Sequence, residues 1–246
     1  MNILKIINKI LLFLYKIGFR IKVKPILIGE RITQFKYCYP WGRTNTGSNH
    51  VYISDNNVIK RNNEYSLFVK KEHVVDNGWW NTNNIEFEYT RGVLFSENTF
   101  LYGNFEAEIY IPKGYGLWSA FWLFGAMDDN SRFAEIDIFE EYGDKQKFTY
   151  NTHAGSDYNH NIYGKADGMI LKNIEDRWHY YRLDWNKKYL KYYIDDYLVG
   201  IRSAKNIDIP MHVIISSGIE NKDLDVIDKI LPKEMKVRNI IVNPKF

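Results

Sequence analysis

The stretch Glu135-Ile136-Asp137-Ile138-Phe139-Glu140 sets three acids among large apolar residues, in a segment that otherwise has the character of a buried strand. Because side chains on a strand alternate between its two faces, Glu135 and Asp137 share one face. Glu140 is out of phase with them unless the strand carries one extra residue. A β-bulge supplies such a residue, re-aims the side chains beyond it, and is over-represented beside active sites. The stretch therefore predicts a bulged strand with three acids on one face.

The alternative interpretation is a solvated face, in which strand acids pair with lysines in water. Two features oppose it. The residues between the acids are Ile, Ile and Phe, and the upstream run 116–125 (GLWSAFWLFG) is almost wholly apolar. Burying three acids on one face of a central strand is costly, and such a cost usually marks a functional cleft. The context therefore favours a functional site.

The rest of the chain indicates a β-sandwich. After residue 30, short apolar and aromatic runs alternate with turns rich in Asn, Gly and Asp, and this spacing is typical of sandwich strands. No helix is predicted there before a short segment near Ile227. The runs predicted as strands include 51–54, 65–71, 85–89, 105–111 and 148–153.

Composition agrees with a single globular enzyme. A chain of 246 residues can bury a sizeable core as one all-β domain. The net charge of +3 is spread without long basic runs, so nucleic-acid binding is not indicated. Cys38 is the single cysteine, the six histidines show no paired metal-ligand spacing, and no phosphate-cradling glycine loop is present. These features argue against a zinc or nucleotide enzyme.

Residues 1–30 differ from the remainder of the chain. On a helix, Lys5, Lys9, Lys16 and Arg20 fall within about 60° of one another, opposite a broad face of Ile, Leu and Phe. This pattern predicts a basic amphipathic helix that lies on a membrane surface.

Two alternatives for this segment stay open. The apolar run from residue 10 to residue 15 is too short to span a bilayer and short for a signal peptide, and no small-residue cleavage site clearly follows. A degenerate export signal is one alternative, and a core-packed helix with a solvated basic side is the other. An interfacial anchor that contacts a membrane through residues 1–20 is slightly favoured.

Several blocks of the chain resemble glycoside hydrolase family 16. They are similar to its laminarinase and agarase branch, which carries the bulged E-x-D-x-x-E motif, and the resemblance covers roughly residues 35–243. Two departures from the family pattern are Asn104, where an Arg is usual, and Asp195-Asp196, where Asp-Gly is common in a hairpin. The specific blocks are 102–107, 112–122 and 134–143, and the weaker ones are 178–185, 190–199 and 235–242.

The resemblance implies an all-β jelly roll of two curved antiparallel sheets, with a concave glycan-binding groove, over residues 31–246. It implies that Glu135 is a nucleophile, that Glu140 is the general acid/base, and that Asp137 orients Glu135 and biases the titration of the pair. Such an enzyme is endo-acting and retaining, and works by double displacement. We expect a β-1,3-glucan or mixed-linkage glucan as substrate, with galactans such as agar as the second option.

The resemblance also suggests substrate-binding residues. Trp118 and Trp122 occupy positions where the family places aromatic residues near the cleaved sugar, and His153 one where relatives often place a histidine near the acid/base. For the two tryptophans the alternative is core packing, and a lone strand histidine is more often satisfied by its neighbours. Trp79 and Trp80 are a weaker candidate platform for distal sugars.

Other functions on the same residues are a transglycosylase, a non-catalytic carbohydrate-binding protein, and a membrane-tethered structural protein. We expect no metal in the site and no required cofactor. A structural calcium, common in relatives, is not demanded by any ligand set. The expected partner is a polysaccharide and not a nucleic acid, the expected state is a monomer, and the expected location is extracellular or at the cell surface.

Overall fold

The protein is described by a computed structural model that covers residues 3–17, 19, 22–23, 29–44, 51–76, 85–127, 132–143, 147–155, 161–163, 167–170, 174–220 and 224–244. These residues form two sheets with an amphipathic helix at the N-terminal end, which is the predicted jelly-roll sandwich. The elements are α1 (Ile3–Lys16), β1 (Glu30–Arg31), β2 (Phe35–Lys36), β3 (Val51–Ile53), a 3-10 turn (Asp55–Asn57), β4 (Val58–Arg61), β5 (Glu64–Asp76), β6 (Ile85–Arg91), β7 (Val93–Phe100), β8 (Gly103–Tyr110), β9 (Leu117–Ala126), β10 (Phe133–Tyr142), β11 (Lys147–Gly155), β12 (Asn161–Tyr163), β13 (Asp167–Ile170), β14 (Trp178–Trp185), β15 (Tyr189–Ile194), β16 (Tyr197–Ser203), β17 (Met211–Ile219), α2 (Leu224–Asp228) and β18 (Lys233–Pro244).

Ten of the described strands form one sheet and eight form the other. The ten-stranded sheet has the order β16-β15-β14-β8-β18-β5-β6-β3, with β1 beside β18 and β4 beside β5. The eight-stranded sheet has the order β12-β11-β10-β9-β17-β7-β2, with β13 beside β11. The strand with the three acids is β10, and it lies between β9 and β11 inside the eight-stranded sheet.

One strand pair departs from the predicted antiparallel arrangement. Among the described strands, β3 pairs with β6 in parallel, whereas the other pairings are antiparallel. The reason lies in the connection that follows β3. The 3-10 turn at Asp55–Asn57 leads into β4 without reversing the chain, and β4 is antiparallel to β5, which is antiparallel to β6.

The main core fills the space between the two sheets. Strand β9 shows the alternation that builds it, because Phe121 and Leu123 are fully buried in this cluster while Trp122 points to the other face. From the ten-stranded sheet, Phe105 and Trp185 pack into the same cluster. The Trp185 indole donates a hydrogen bond to the carbonyl of Ile207 over 3.3 Å, which satisfies its buried N–H.

The hairpin between β15 and β16 explains one departure from the family pattern. Asp195 and Asp196 both have positive φ, at 48° and 66°. Two successive left-handed residues are what a two-residue type I′ hairpin requires, and Asp adopts this region more readily than most residues. The turn therefore forms without the usual glycine.

Helix α1 lies against the free edge of the ten-stranded sheet. The Asn8 side chain donates to the carbonyl of Ile201 and accepts from its N–H, both over 2.9 Å. These two bonds satisfy backbone groups that edge strand β16 would otherwise leave unpaired. Leu11 is buried and Leu12 packs against the main core. No helix in the described part of the chain is long and apolar enough to cross a membrane.

Candidate active site

Strand β10 carries the predicted bulge. Against β9, Asp137 lies opposite Trp122 and Phe139 opposite Phe121, so Ile138 is the extra residue. The register against β11 shifts by the same single residue between Asp137 and Glu140. The spacing of the three acids therefore corresponds to a real irregularity of the strand.

The bulge brings the three acids onto one face. Ile136, Ile138 and Phe139 are buried in the core between the sheets. Glu135 and Glu140 are the partly exposed acids of the strand, and they turn away from the ten-stranded sheet, to the side that we call the open face. Glu141, predicted to point the other way, is fully buried.

His153 lies beside the first two acids. It is the cross-strand partner of Glu135 on β11. Its Nε2 is 3.4 Å from Oδ2 of Asp137 and 3.8 Å from Oε1 of Glu135. The Asn151 amide nitrogen is 2.9 Å from the same Nε2. The structure thus places His153 next to Glu135 and Asp137, whereas the family resemblance had suggested a position near Glu140.

Burial and mutual repulsion favour the protonated forms of the two glutamates. Burial raises the pKa of Glu140 to about 8, and the Asp137 charge adds to this effect. Burial also raises the pKa of Glu135 well above its usual value, with further contributions from Asp137 and Glu140. Ionising all three neighbouring carboxyl groups at once is unfavourable because their negative charges repel one another. Glu135 and Glu140 therefore lose their protons as a coupled pair.

Tyr142 contacts Glu140 directly and packs against Trp118. The Tyr142 hydroxyl donates a hydrogen bond to Oε1 of Glu140 over 2.9 Å. The Tyr142 ring stacks on Trp118, with centroids 6.0 Å apart and planes 8° from parallel. The hydrogen bond from Tyr142 lowers the pKa of Glu140 and so opposes part of the effect of burial. Sequence analysis missed Tyr142, although it lies two residues after Glu140 and so on the same face.

The residues beside Glu140 on the neighbouring strands have small side chains. The residue opposite Glu140 on β9 is Ala120, and the residue opposite Ala120 on β17 is Ser216. Trp118 and Trp122 stand two residues to either side of Ala120 and share its face. Ala120 and Ser216 are buried, so the smallest side chains of this face lie between the two indoles, next to Glu140.

Trp122 belongs to an aromatic wall on the open face. Its indole nitrogen is 3.4 Å from Oγ of Ser216, and its ring meets Tyr39 edge to face at 5.9 Å. Trp41 stacks on Tyr39 at 4.8 Å and remains partly exposed. Sequence analysis missed Tyr39 and Trp41 because they lie in an irregular segment before β3, where no periodicity links them to β9.

All six predicted site residues lie on one face of three adjacent strands. Trp118 and Trp122 come from β9, the acids from β10 and His153 from β11. The alternative of core packing holds in part, because both indoles are half-buried against neighbouring rings. Trp79 and Trp80 lie outside the described residues.

One group of side chains has the geometry to hold a metal ion. Ligand atoms of Glu135, Asp137 and His153 lie within 4.8 Å of one another. No other trio of His, Cys, Asp or Glu side chains converges in this way in the described ranges. Two members of this trio, Glu135 and Asp137, belong to the group of three acids on β10.

Comparisons with known proteins agree with this geometry. Residues 45–218 match the model of the family described as glycosyl hydrolases family 16. A glucan endo-1,3-beta-glucosidase from Cryptopygus antarcticus is 28% identical over 52% of this chain and 49% of its own length. A beta-1,3-glucan-binding protein from Penaeus monodon is 29% identical over 42% of this chain and 32% of its own length. The chain thus spans half or less of the length of these two relatives.

A solved structure shows the same fold. The kappa-carrageenase from Pseudoalteromonas carrageenovora, in complex with an oligotetrasaccharide of kappa-carrageenan, superposes with a TM-score of 0.70. The match covers 85% of this chain and 87% of that one at 18% identity.

Proposed function

This chain belongs to glycosyl hydrolases family 16, and from that premise we propose that it hydrolyses β-linked polysaccharides internally, with retention of configuration. The observation that carries the proposal is the bulge of β10, which puts Glu135, Asp137 and Glu140 on one open face. Hydrolysis of a glycoside needs one carboxylate and one carboxylic acid beside the scissile bond.

We assign the acid role to Glu140. Its pKa of about 8 keeps it protonated at neutral pH, and it lies beside the small side chains of Ala120 and Ser216. In the first step its proton goes to the glycosidic oxygen as the bond to the anomeric carbon breaks. In the second step the Glu140 carboxylate takes a proton from water, which attacks the anomeric carbon.

We assign the nucleophile role to Glu135. Its carboxylate forms an ester with the anomeric carbon in the first step, and water releases it in the second. We assign to Asp137, two residues along the same face, the role of orienting Glu135. The raised pKa of Glu135 in the free protein means that it competes with its neighbours for a proton. The active form is therefore the one in which the coupled pair has lost one proton to solvent before the first step, so that Glu135 is ionised and Glu140 keeps its proton.

For the substrate we favour a β-1,3-glucan or a mixed-linkage glucan. The similarity to a glucan endo-1,3-beta-glucosidase supports this choice. A galactan is the second option, which the fold shared with a carrageenase supports. The half-buried rings of Trp118, Trp122 and Trp41 give sugar rings apolar surfaces on the open face.

Two rival functions use the same face. Transglycosylation follows if a sugar hydroxyl, instead of water, captures the glycosyl ester. A carbohydrate-binding protein without turnover is the other rival, and the similarity to a beta-1,3-glucan-binding protein supports it. The three acids together argue for hydrolysis, because binding alone does not require carboxyl groups whose pKa values are raised by burial and by mutual repulsion.

The remaining proposals concern partners and location. All proton transfers in this mechanism are assigned to carboxyl groups of the chain, so we propose that no metal or cofactor takes part. We propose that the protein acts as a monomer outside the cell or at its surface, where polysaccharide substrates are available.

A product assay tests the function. The full chain is incubated with a panel of β-1,3-glucan, mixed-linkage glucan, agar and carrageenan, and reducing ends, viscosity and released oligosaccharides are followed. We expect the wild type to shorten one class of polymer and Glu135→Gln to release nothing, while Glu86→Gln, an exposed glutamate of β6, behaves as wild type. Proton NMR of the first products should show the β-anomer.

Two outcomes would contradict the proposal. Products unchanged by Glu135→Gln would remove the nucleophile assignment. Binding to a polysaccharide of the panel without any shortening would identify a carbohydrate-binding protein instead.

A further inference from the structure

Helix α1 uses only part of its circumference to hold the fold. Asn8, Leu11 and Leu12 face β16 and the core. The opposite side of the helix exposes large apolar residues that belong to none of the core clusters. Ile3, Ile10, Phe13 and Ile17 are between 51% and 69% exposed.

These four residues form one continuous stripe. Ile3, Ile10 and Ile17 are spaced by seven residues, which places them nearly above one another on a helix, and Phe13 lies three residues after Ile10. Phe19, just beyond the helix, is 63% exposed. Contiguous exposed apolar surface of this kind marks an interaction site.

Lysines border the stripe. Lys5 and Lys9 are exposed on its flank. Six Lys and Arg residues and no Asp or Glu precede Glu30, whereas the rest of the chain holds 27 basic and 30 acidic residues of the totals of 33 and 30. The N-terminal segment is therefore +6 on a body of −3. An apolar stripe within a positively charged segment complements a surface whose interior is apolar and whose outer layer is negatively charged.

We propose that α1 docks the enzyme on an anionic lipid bilayer. Its Asn8 side fastens the helix to β16, and the stripe of Ile3, Ile10, Phe13 and Ile17 enters the interface between headgroups and acyl chains. Lys5 and Lys9 remain at the level of the lipid phosphates. A second copy of the chain is a poorer occupant, because pairing two stripes would bring the lysines of both copies together.

Binding to lipid vesicles tests the proposal. The full chain is mixed with vesicles of phosphatidylcholine alone and of phosphatidylcholine with phosphatidylglycerol, and the bound fraction is measured by flotation. We expect binding to the anionic vesicles that weakens as salt is added. The double variant Ile10→Ser/Phe13→Ser should lower the partition coefficient by at least about tenfold. The variant Lys5→Gln/Lys9→Gln should lower it by about fivefold per lysine at low salt.

A matched control separates docking from general stickiness. Ile59 and Val75 are exposed apolar residues of the ten-stranded sheet, 38% and 53% accessible, and the variant Ile59→Ser/Val75→Ser should bind vesicles as wild type does. All variants should keep the wild-type unfolding midpoint, because the substituted side chains are exposed.

Three results would overturn the proposal. The wild type could fail to prefer anionic over zwitterionic vesicles. The Ile10→Ser/Phe13→Ser variant could bind as well as wild type. Sedimentation could show a dimer that this variant dissociates, with no vesicle binding, which would identify a second copy as the occupant.

Discussion

The Tyr142 hydroxyl donates a hydrogen bond to Oε1 of Glu140, with the two oxygens 2.9 Å apart, and so ties the proposed acid/base to the next side chain on its own strand face. Burial and the Glu140 charge raise the pKa of Tyr142, so the phenol remains a donor at any working pH. Because this bond favours ionised Glu140, it lowers the upper end of the pH range in which Glu140 can act as an acid.

Removing that bond should extend activity to higher pH. Tyr142→Phe deletes a donor to the carboxylate, so the pKa of Glu140 rises from about 8 and the alkaline limb of kcat/KM moves up by about one pH unit. Initial rates from neutral to alkaline pH measure the limb. Tyr189→Phe, at an exposed tyrosine of β15, is the control. An alkaline limb that stays in place would show that Tyr142 does not act on Glu140.

Removing the middle acid should have the opposite effect. The Asp137 charge raises the pKa of Glu140, so Asp137→Asn lowers it and the alkaline limb of kcat/KM moves down. The rate should also fall about tenfold or more, since Glu135 loses the carboxyl group that we propose orients it. The same pH profile measures both effects, with Asp225→Asn, at an exposed acid of α2, as control. A limb that moves upward would contradict the repulsion argument.

Azide should separate the two glutamate roles. Glu140→Ala and Glu135→Ala should each lower hydrolysis by at least about 100-fold. On an aryl β-glycoside, whose leaving group needs no proton, azide should react with the glycosyl ester of Glu140→Ala and give the β-glycosyl azide. In Glu135→Ala it should attack the substrate directly and give the α-anomer. Proton NMR distinguishes the two, and exchanged stereochemistry would reverse the assignments.

Activity should be sensitive to the size of the side chain at position 120, beside Glu140. Ala120→Leu fills the space between Trp118 and Trp122, so we expect kcat/KM to fall by at least about 100-fold, with a loss of stability of about 1–3 kcal/mol. Ala126 is an exposed residue on the same face of β9, two residues beyond Phe124, and Ala126→Leu should leave activity unchanged. Steady-state kinetics and chemical denaturation of both variants measure the two effects. Full activity in Ala120→Leu would place the sugar elsewhere.

A buried acid far from the site should limit stability at alkaline pH. Burial raises the pKa of Glu106 to about 7, while Arg182 lowers it and Asp196 raises it. Since the folded pKa exceeds the usual 4.5, folding favours protonated Glu106, and stability falls as pH rises from about 4.5 to about 7. Glu106→Gln should therefore stabilise the protein by up to about 3 kcal/mol at pH above 8 and by little near pH 4.

Glu108 provides the contrast for that prediction. Arg238 binds it through two hydrogen bonds of 2.7 Å and lowers its pKa. Glu108→Gln should destabilise at neutral pH, where Glu106→Gln stabilises. Urea denaturation across this pH range measures both variants, and a Glu106→Gln curve parallel to wild type would contradict the proposed linkage.

The active strand could be derived largely from local sequence. The spacing of Glu135, Asp137 and Glu140 indicated the bulge because period-two alternation leaves no other way to bring them to one face. Alternation also related Trp118 to Trp122. It could have found Tyr142, since that residue is in phase with Glu140 beyond the bulge.

Other parts of the site depend on contacts distant in sequence. Tyr39 and Trp41 reach Trp122 across the open face from an irregular segment, and nothing local specifies that approach. Ser216 lies opposite Ala120 only because β17 pairs with β9. The parallel pairing of β3 with β6 likewise follows from how a short turn directs the chain, which strand patterns do not reveal.

The sequence by itself determined the strand alternation, the bulge at the acids and the amphipathic character of α1, since each follows from the order of polar and apolar residues along a single element. Only the tertiary structure decided which side of α1 is covered. Asn8 and Leu11 face β16, and this leaves Ile10 and Phe13 exposed. The physical reason is that a periodicity shows which residues share a face, whereas what that face meets depends on the packing of elements far apart in the chain.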